Sequence, residues 1–152
     1  MKLDNPDEIL YNNIETVGFT GTREGATKEQ LKSVRWLLRK MKPSILVHGD
    51  CVGADADVHA VALDLGIKVH MRPANMPRYR AHCKGGEVIA PEEDPLDRNK
   101  KIVRSANAMI ACPKEFKNEL RSGTWSTVRY ASKEECLCWI VYPDGSVDYP
   151  SV

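Results

Sequence analysis

Short apolar segments alternate with amphipathic segments along most of this 152-residue chain. The apolar segments predict strands over residues 16–20, 44–48, 67–71, 108–112 and 137–142, with at most a short strand over 86–90. The amphipathic segments, in which apolar residues recur every three or four positions, predict a helix after most of these strands. Alternating strands and helices imply right-handed crossovers. The pattern therefore predicts an α/β fold with a doubly wound, mainly parallel sheet flanked by helices.

Capping signals place the start of two of these helices. Thr27 and Gln30 have the spacing of a capping box, and the helix that follows them ends before Pro43. Asp94 followed by Pro95 combines a preferred N-cap residue with proline in the first turn, which starts the third helix. For the second helix we expect Asp55 to be the N-cap residue, and at the start of the fourth helix Thr124 is either an ordinary N-cap or a phosphate-binding residue.

Residues 72–93 interrupt the alternation of strands and helices. Five prolines and glycines divide this segment, and a cluster of basic and aromatic residues lies within it. A long irregular segment inside a compact domain is typical of a lid or a binding loop. The chain length predicts a single domain over residues 1–152, in which the first 13 residues are a loose leader.

Composition narrows the possible functions. A formal net charge of +1 argues against a nucleic-acid-binding surface, which needs a concentrated excess of Lys and Arg. The sequence has neither a bilayer-spanning apolar run nor the features of a signal peptide, so we expect a cytoplasmic protein with no membrane partner. The five cysteines include no Cys-x-x-Cys pair. We therefore expect no disulfide framework, no metal site and no bound cofactor.

Three glycine-containing turns at the ends of strand-like segments are the main candidates for a binding site. Such turns put free backbone N–H groups and helix N-termini on one edge of a sheet, where they can hold an anion. Arg23 adds a guanidinium that can clamp a phosphate or a carboxylate. The predicted ligand-binding residues of these turns are Gly21, Thr22, Arg23, His48, Gly49, Asp50, Gly53, Ser122, Gly123 and Thr124.

Other side chains near these turns have alternative roles. Asp50 follows a strand and can accept hydrogen bonds from ribose hydroxyls. Arg98 and Asn99, at the start of a helix, can reach the same ligand, with Asn99 tying the helix to the neighbouring strand. Trp125 either stacks on a base or packs against the sheet. The histidines lack the ligand spacing typical of zinc, and we interpret them as core or surface residues.

Four segments in this order, GFTGTREG, HGDCVGAD, DRNKKIVRSANAMIACP and SGTWSTVRYA, resemble the SLOG superfamily. This Rossmann-like group joins the DNA-processing protein A family to the Lonely-Guy phosphoribohydrolases, and the small stand-alone bacterial and phage proteins are the most similar branch. The resemblance implies a nucleotide-derived ligand at the C-terminal edge of the sheet, with the Gly-Thr helix start holding a phosphate. It also implies pairing of subunits through helices.

The resemblance favours binding over catalysis. In the hydrolase branch a Glu follows the Gly-Thr pair and acts with an upstream Arg, for which Arg98 is the match. Here Thr127 stands in place of that Glu. A threonine hydroxyl cannot activate water or stabilise an oxocarbenium-like centre as a carboxylate can, unless another acid substitutes for it.

The leading hypothesis is thus a homo-oligomeric protein that senses or sequesters a nucleotide or an ADP-ribose-like signal. The first alternative is a nucleoside 5'-monophosphate phosphoribohydrolase, in which Arg98 and an unidentified acid are catalytic. The second is DNA binding of the DNA-processing type, which the charge balance disfavours.

Overall fold

The computed structural model describes residues 10–150. In that part of the chain one seven-stranded sheet is flanked by four α-helices. The strands are β1 Thr16–Gly21, β2 Ile45–His48, β3 Lys68–Met71, β4 Val88–Ile89, β5 Ala108–Cys112, β6 Leu137–Val141 and β7 Val147–Asp148. The helices are α1 Lys28–Met41, α2 Ala54–Asp64, α3 Pro95–Ser105 and α4 Gly123–Lys133, with a short 3₁₀-helix at Pro77–Tyr79.

The sheet order is β4-β3-β2-β1-β5-β6-β7. Adjacent strands run parallel from β4 to β6, and β7 pairs antiparallel with β6. The predicted doubly wound, Rossmann-like α/β fold is confirmed. The sequence pattern did not predict β7, because a two-residue strand leaves too short an apolar signal.

The two faces of the sheet carry separate helix pairs. Apolar side chains of α1 and α2 pack with one face around Phe19, Leu46, Ile110 and Trp139. Helices α3 and α4 cover the other face in a smaller cluster around Met109. The chain therefore changes faces between β3 and α3, and β1 lies at the point where the strand order reverses. In sheets of this kind, ligands bind beyond the carboxyl ends of the strands at that point.

Two predicted helix starts are confirmed. The Thr27 hydroxyl accepts a hydrogen bond from the Gln30 N–H, and the Gln30 side chain accepts one from the Thr27 N–H, which completes the capping box. The Asp94 carboxylate caps α3 by accepting a hydrogen bond from the Leu96 N–H, and proline follows it in the first turn.

The predicted cap at Asp55 is wrong, and so is the cap alternative at Thr124. Helix α2 is preceded by Gly53, which makes no side-chain cap, and the Asp55 side chain bonds backwards to the β2–α2 turn instead. Ser122 is the cap of α4, where its hydroxyl accepts a hydrogen bond from the Trp125 N–H at 3.2 Å. Thr124 lies inside the first turn, where it is buried and lines the cavity described below.

The predicted loose leader lies largely outside the described residues. In its described part Leu10 and Tyr11 are buried, and the Tyr11 ring stacks on Trp139 with 5.6 Å between ring centroids. Over residues 10–150, none of the helices is both long enough and apolar enough to span a bilayer.

Candidate functional site

A cavity of about 830 Å³ opens at the carboxyl ends of the parallel strands. Its lining comes from the turns after β1, β2 and β5, from the segment before α3, and from the first turns of α3 and α4. A volume of this size suits a small organic ligand. The predicted site residues that line it are Gly21, Thr22, Arg23, Gly49, Asp50, Arg98, Asn99, Ser122, Gly123 and Thr124.

One side of this cavity, the paired wall, is built from charged groups that bind each other and the backbone. Its residues are Gly49, Asp50, Cys51, Asp55, Arg80 and Arg98. The other side, the open rim, carries two arginines and two helix N–H groups for which residues 10–150 supply no such partners. Its residues are Arg23, Arg121, Ser122, Gly123 and Thr124.

Arg98 is the central cation of the paired wall. Only 7% of it is exposed, and Nη1 donates to the carbonyls of Gly49 at 2.8 Å and Arg72 at 3.1 Å. Its Nε donates to the Asn99 Oδ1 at 2.7 Å, so Asn99 orients Arg98 within α3 and does not tie the helix to a strand as expected. These bonds use much of the donor capacity of Arg98 to join α3 to the ends of β2 and β3.

Asp50 fixes the irregular segment after β3 to the paired wall. Its Oδ2 accepts a hydrogen bond from the Arg80 Nε at 2.5 Å, and its Oδ1 accepts one from the Cys83 N–H at 2.9 Å. Burial opposes ionisation of Asp50, but the hydrogen bonds from Cys83 and Arg80 hold its pKa below the ordinary value. Both carboxylate oxygens are therefore engaged by the protein, which differs from the expected contact with a ribose.

The backbone of the same segment is also tied down. The Val52 N–H donates to the Tyr79 carbonyl at 2.9 Å, and the Ala81 N–H donates to the Asp50 carbonyl at 2.8 Å. Residues 79–83 are thus bonded to the β2–α2 turn along their length. This anchoring makes the segment a fixed wall of the cavity in the structure.

The Asp55 carboxylate is hydrogen-bonded to the backbone of the β2–α2 turn. Its Oδ2 accepts hydrogen bonds from the N–H groups of Gly49 at 3.1 Å and Cys51 at 3.2 Å. Burial raises the pKa of Asp55 to about 6, while the Arg98 guanidinium and the two N–H groups limit the rise and the Asp50 carboxylate adds to it. This carboxyl group stabilises the turn in the place of the predicted helix cap.

Arg23 on the open rim is positioned by an aromatic ring. Its guanidinium lies 3.9 Å from the centroid of the Tyr79 ring, and it forms no ion pair or hydrogen bond with any residue from 10 to 150. Stacking holds the guanidinium plane and leaves its N–H donors unused. Such an arginine is suited to bind a phosphate or carboxylate through two parallel hydrogen bonds.

The start of α4 supplies the other donors of the open rim. The N–H groups of Gly123 and Thr124 have no acceptor within the described part of the chain. Helix N-termini carry a partial positive charge of about half a unit, which adds to these two donors. Arg121 directly precedes this turn, lines the cavity and is likewise unpaired among the described residues.

The glycines on the two sides of the cavity serve different purposes. A Cβ at Gly49 would lie 2.2 Å from the Arg98 Nη1, and one at Gly21 would lie 2.5 Å from the Ala54 Cβ. A Cβ at Gly123 would meet nothing within 4 Å. Packing of the protein itself explains the first two glycines. Packing of the described residues does not require glycine at Gly123.

Sequence reasoning missed two cations that line the cavity. Arg121 was not singled out, and neither was Lys114, which forms an ion pair with Glu24 between the turns after β5 and β1. Both partners of this pair are more than half exposed, so the pair contributes little to stability. The sequence could have indicated Arg121, because a basic residue directly before the Ser-Gly start of a helix adds positive charge to the helix N-terminus.

Three predicted binding residues lie off the cavity lining. Trp125 is buried, and its Nε1 donates to the Glu115 Oε1 at 3.1 Å, so it packs against the protein and not against a base. Gly53 has a φ of 91°, and a Cβ there would lie 2.3 Å from the Arg23 carbonyl oxygen. That glycine serves the turn itself.

The third, His48, belongs to a buried hydrogen-bond chain. The Asp50 N–H donates to the His48 Nδ1 at 2.9 Å, so the ring proton of a neutral His48 is on Nε2, which faces the His59 Nδ1 at 2.9 Å. The His59 Nε2 then donates to the Lys84 carbonyl at 2.6 Å. Burial, followed by the neighbouring His59, lowers the pKa of His48 to about 3, which keeps the ring neutral at pH 7.

This series of hydrogen bonds accounts for a cluster of two histidines and a cysteine that could otherwise suggest a metal centre. The ligand atoms of His48, His59 and Cys83 lie within 4.8 Å of one another. A metal on the His48 Nε2 would require the proton on Nδ1, where the Asp50 N–H already points. The cluster therefore fits a structural link between β2, α2 and the segment after β3 better than a metal site.

Comparisons with known proteins address the fold. No family model matches the sequence, and no curated protein matches it. A solved structure of the molybdenum cofactor binding protein from the phototrophic bacterium Rippkaea orientalis is similar with a TM-score of 0.65. The similarity covers 86% of this chain and 78% of that one, at 20% sequence identity. At this identity the similarity supports the Rossmann-like architecture, and membership of the SLOG superfamily stays a prediction.

Proposed function

We propose that the protein binds a phosphorylated, nucleotide-derived ligand in the cavity and acts as a sensor or sequestering protein. The observation that carries this proposal is the open rim. Arg23 and Arg121, which are unpaired within the described part of the chain, line one cavity together with the N–H groups at the start of α4, which have no acceptor there either. A phosphate would supply acceptors to all of these donors at once.

The contrast with the paired wall supports binding without hydrolysis. Thr127 lines the cavity where a catalytic Glu would be required, and its hydroxyl donates to the Gly123 carbonyl at 3.0 Å. Both Asp50 oxygens accept hydrogen bonds from the protein, and Asp55 accepts two from backbone N–H groups. Arg98, the candidate catalytic cation, is bound to carbonyl groups. None of these groups is available for cleavage of a ribosyl bond, so the acid of a hydrolase would have to be one of the glutamates that line the cavity, Glu24, Glu115 or Glu119.

A second candidate ligand is the molybdenum cofactor. The observation that favours it is the similarity in fold to a molybdenum cofactor binding protein. We rank it below a nucleotide because the shared identity is low and the open rim requires only an anionic group.

Association of the protein with itself is a further expectation, which the mass of the free and ligand-bound protein in light scattering would test.

A thermal-denaturation screen tests the proposed binding. The panel contains nucleoside monophosphates, ADP-ribose, cyclic nucleotides and a molybdenum cofactor preparation. A compound at one hundred times its Kd stabilises the folded state by about 2.7 kcal/mol, which raises the Tm of a domain of this size by about 5 to 10 °C. Arg121→Gln should reduce the shift, whereas Arg35→Gln, which removes a cation bonded to Asp64 on another surface, should not.

Each result has a clear consequence for the proposal. A shift with a nucleotide or ADP-ribose that depends on Arg121 supports the function. A shift with the molybdenum cofactor alone favours the second candidate. The absence of any shift contradicts binding at the open rim. Incubation of the binding nucleotide with the protein, followed by chromatography, should yield no free base, and a catalytic release of base would instead support the hydrolase alternative.

A further inference from the structure

The cavity has an apolar patch that the open rim does not explain. It is formed by Met76 and Tyr79 from the segment after β3 and by Leu96 from the first turn of α3. The Tyr79 ring of this patch lies 3.9 Å from the guanidinium of Arg23 on the open rim. The apolar patch and the open rim are therefore adjacent, and one ligand can contact both.

Leu96 is unusually exposed for a residue in a cavity wall. Its side chain is 61% exposed in the structure although it faces a cavity that polar groups line on the other side. An apolar side chain in the wall of a cavity can be covered by a ligand that binds there. Met76, which lines the same cavity, has the unbranched, adaptable side chain that packs well against flat ring faces.

Polar groups at the margin of this patch point to the chemistry of its occupant. The Asn99 Oδ1 accepts from Arg98, so the amide nitrogen of Asn99 keeps both N–H donors free of partners among residues 10–150. An aromatic base has two apolar faces and an edge with acceptor atoms. Apolar side chains for the faces and an amide donor for the edge are complementary to such a ring.

We propose that Met76, Tyr79 and Leu96 form the subsite for the planar base of the ligand whose phosphate the open rim binds. The inference rests on the proposed function and adds to it that the ligand keeps its base. Tyr79 joins the two subsites, because the ring that borders the patch also positions the Arg23 guanidinium. The Leu96 side chain should then be covered when the ligand binds.

Three probes with the same anionic group separate the contributions. AMP carries a phosphate and a base, ribose 5-phosphate lacks the base, and hexyl phosphate replaces the nucleoside with an alkyl chain. Calorimetric titration of the wild-type protein should give a Kd for AMP at least tenfold lower than for the other two. The Leu96→Ala variant should raise the Kd for AMP about tenfold and change that for ribose 5-phosphate less than twofold.

Leu120→Ala is the matched control for this experiment. Leu120 is 83% exposed and lies outside the cavity lining, so its removal should leave the Kd for all three probes unchanged. Because Leu96 is exposed, both variants should retain the wild-type Tm, which a melting curve checks. Met76→Ala provides a second variant with the same expected selectivity for AMP.

The outcomes distinguish this inference from the proposed function. Equal binding of AMP and ribose 5-phosphate, or an equal loss for both in Leu96→Ala, would overturn the base subsite and leave phosphate binding intact. Hexyl phosphate bound as tightly as AMP would show a general apolar pocket and overturn it as well. If none of the three probes binds and the wider nucleotide panel gives no shift in Tm, the proposed function fails and the subsite fails with it; if only the wider panel gives a shift, the subsite for the base of AMP is overturned and the proposed function stands.

Discussion

The paired wall and the open rim line the same cavity, but their charged groups are used in opposite ways. On the paired wall the carboxylates of Asp50 and Asp55 and the guanidinium of Arg98 are bonded to neighbouring side chains and to the backbone. On the open rim Arg23 and Arg121 have no carboxylate partner among the described residues. The first arrangement builds the cavity, and the second is available to a ligand.

This difference shows why residue identity alone does not locate a binding site. Arg98 and Arg121 are both arginines near a helix start, and both line the cavity. Burial and hydrogen-bond partners separate them. Desolvated charges must be paired inside the protein, whereas exposed charges can keep their donors for a partner that arrives from solution.

The largest expected effect comes from replacing the buried arginine. Arg98→Met removes the hydrogen bonds to the carbonyls of Gly49 and Arg72 and leaves the buried Asp55 without its nearest cation. We expect the free energy of unfolding to fall by about 3 to 5 kcal/mol. Arg121→Met should change it by less than about 0.5 kcal/mol. Urea denaturation measures the free energy of unfolding of the two variants. Equal values would show that the arginines of the paired wall and of the open rim do not differ in their contribution to stability.

The next effect concerns the pH dependence of stability. The pKa of Asp55 is about 6 in the folded protein and 3.8 for the free side chain, so between these values the folded state binds a proton that the unfolded chain has released. The contribution of Asp55 to the free energy of unfolding therefore increases by about 3 kcal/mol in total as the pH falls from about 6 to about 4. The same contribution is lost as the pH rises again.

The variant Asp55→Asn isolates that contribution. Its amide oxygen can still accept from the N–H groups of the β2–α2 turn, but it does not titrate. Relative to this variant, the wild-type protein should lose stability between pH 4 and pH 7. Denaturation curves at several pH values give the difference, and a constant gap over this range would show that Asp55 has an ordinary pKa.

The smallest of these effects compares two glycines. Gly53→Ala places a Cβ 2.3 Å from a backbone oxygen at a φ of 91°, so a loss of at least about 2 kcal/mol is expected. Gly123→Ala meets open space and should leave stability within about 0.5 kcal/mol of wild type. The Tm of the two variants provides the measurement. Similar losses at both positions would mean that Gly123 also serves the protein's own packing.

The sequence pattern predicted the local features of the fold well. The capping box at Thr27, the proline start of α3 and the continuous apolar strands are each specified by residues close together in the chain. Helix caps with a competing partner were harder to predict. Asp55 has the position of a cap, but two N–H groups of the preceding turn are better placed for its carboxylate once the chain folds.

Contacts between distant residues set the limits of prediction for the site. Asp50 was expected to meet a ribose, and its actual partner Arg80 is 30 residues further along the chain. For Trp125 the sequence left stacking on a base and packing against the sheet open, and only the fold shows that the side chain is buried and bonded to Glu115 in the loop that precedes α4. Only the fold shows which polar groups find each other and which remain available. Gly21, Gly49 and Gly123 line one cavity because parallel strands bring their carboxyl ends to one edge, and ligand binding by these turns stays a prediction.

The central claim is that the unpaired donors of the open rim bind the phosphate of a nucleotide-derived ligand. The most direct test is calorimetric titration of AMP and ADP-ribose into the wild-type protein and the double variant Arg23→Gln/Arg121→Gln, with Arg35→Gln as the control. Each lost charge-assisted hydrogen bond costs about 1.5 to 3 kcal/mol, so the double variant should bind at least about a hundredfold more weakly. An unchanged Kd in the double variant would contradict the account.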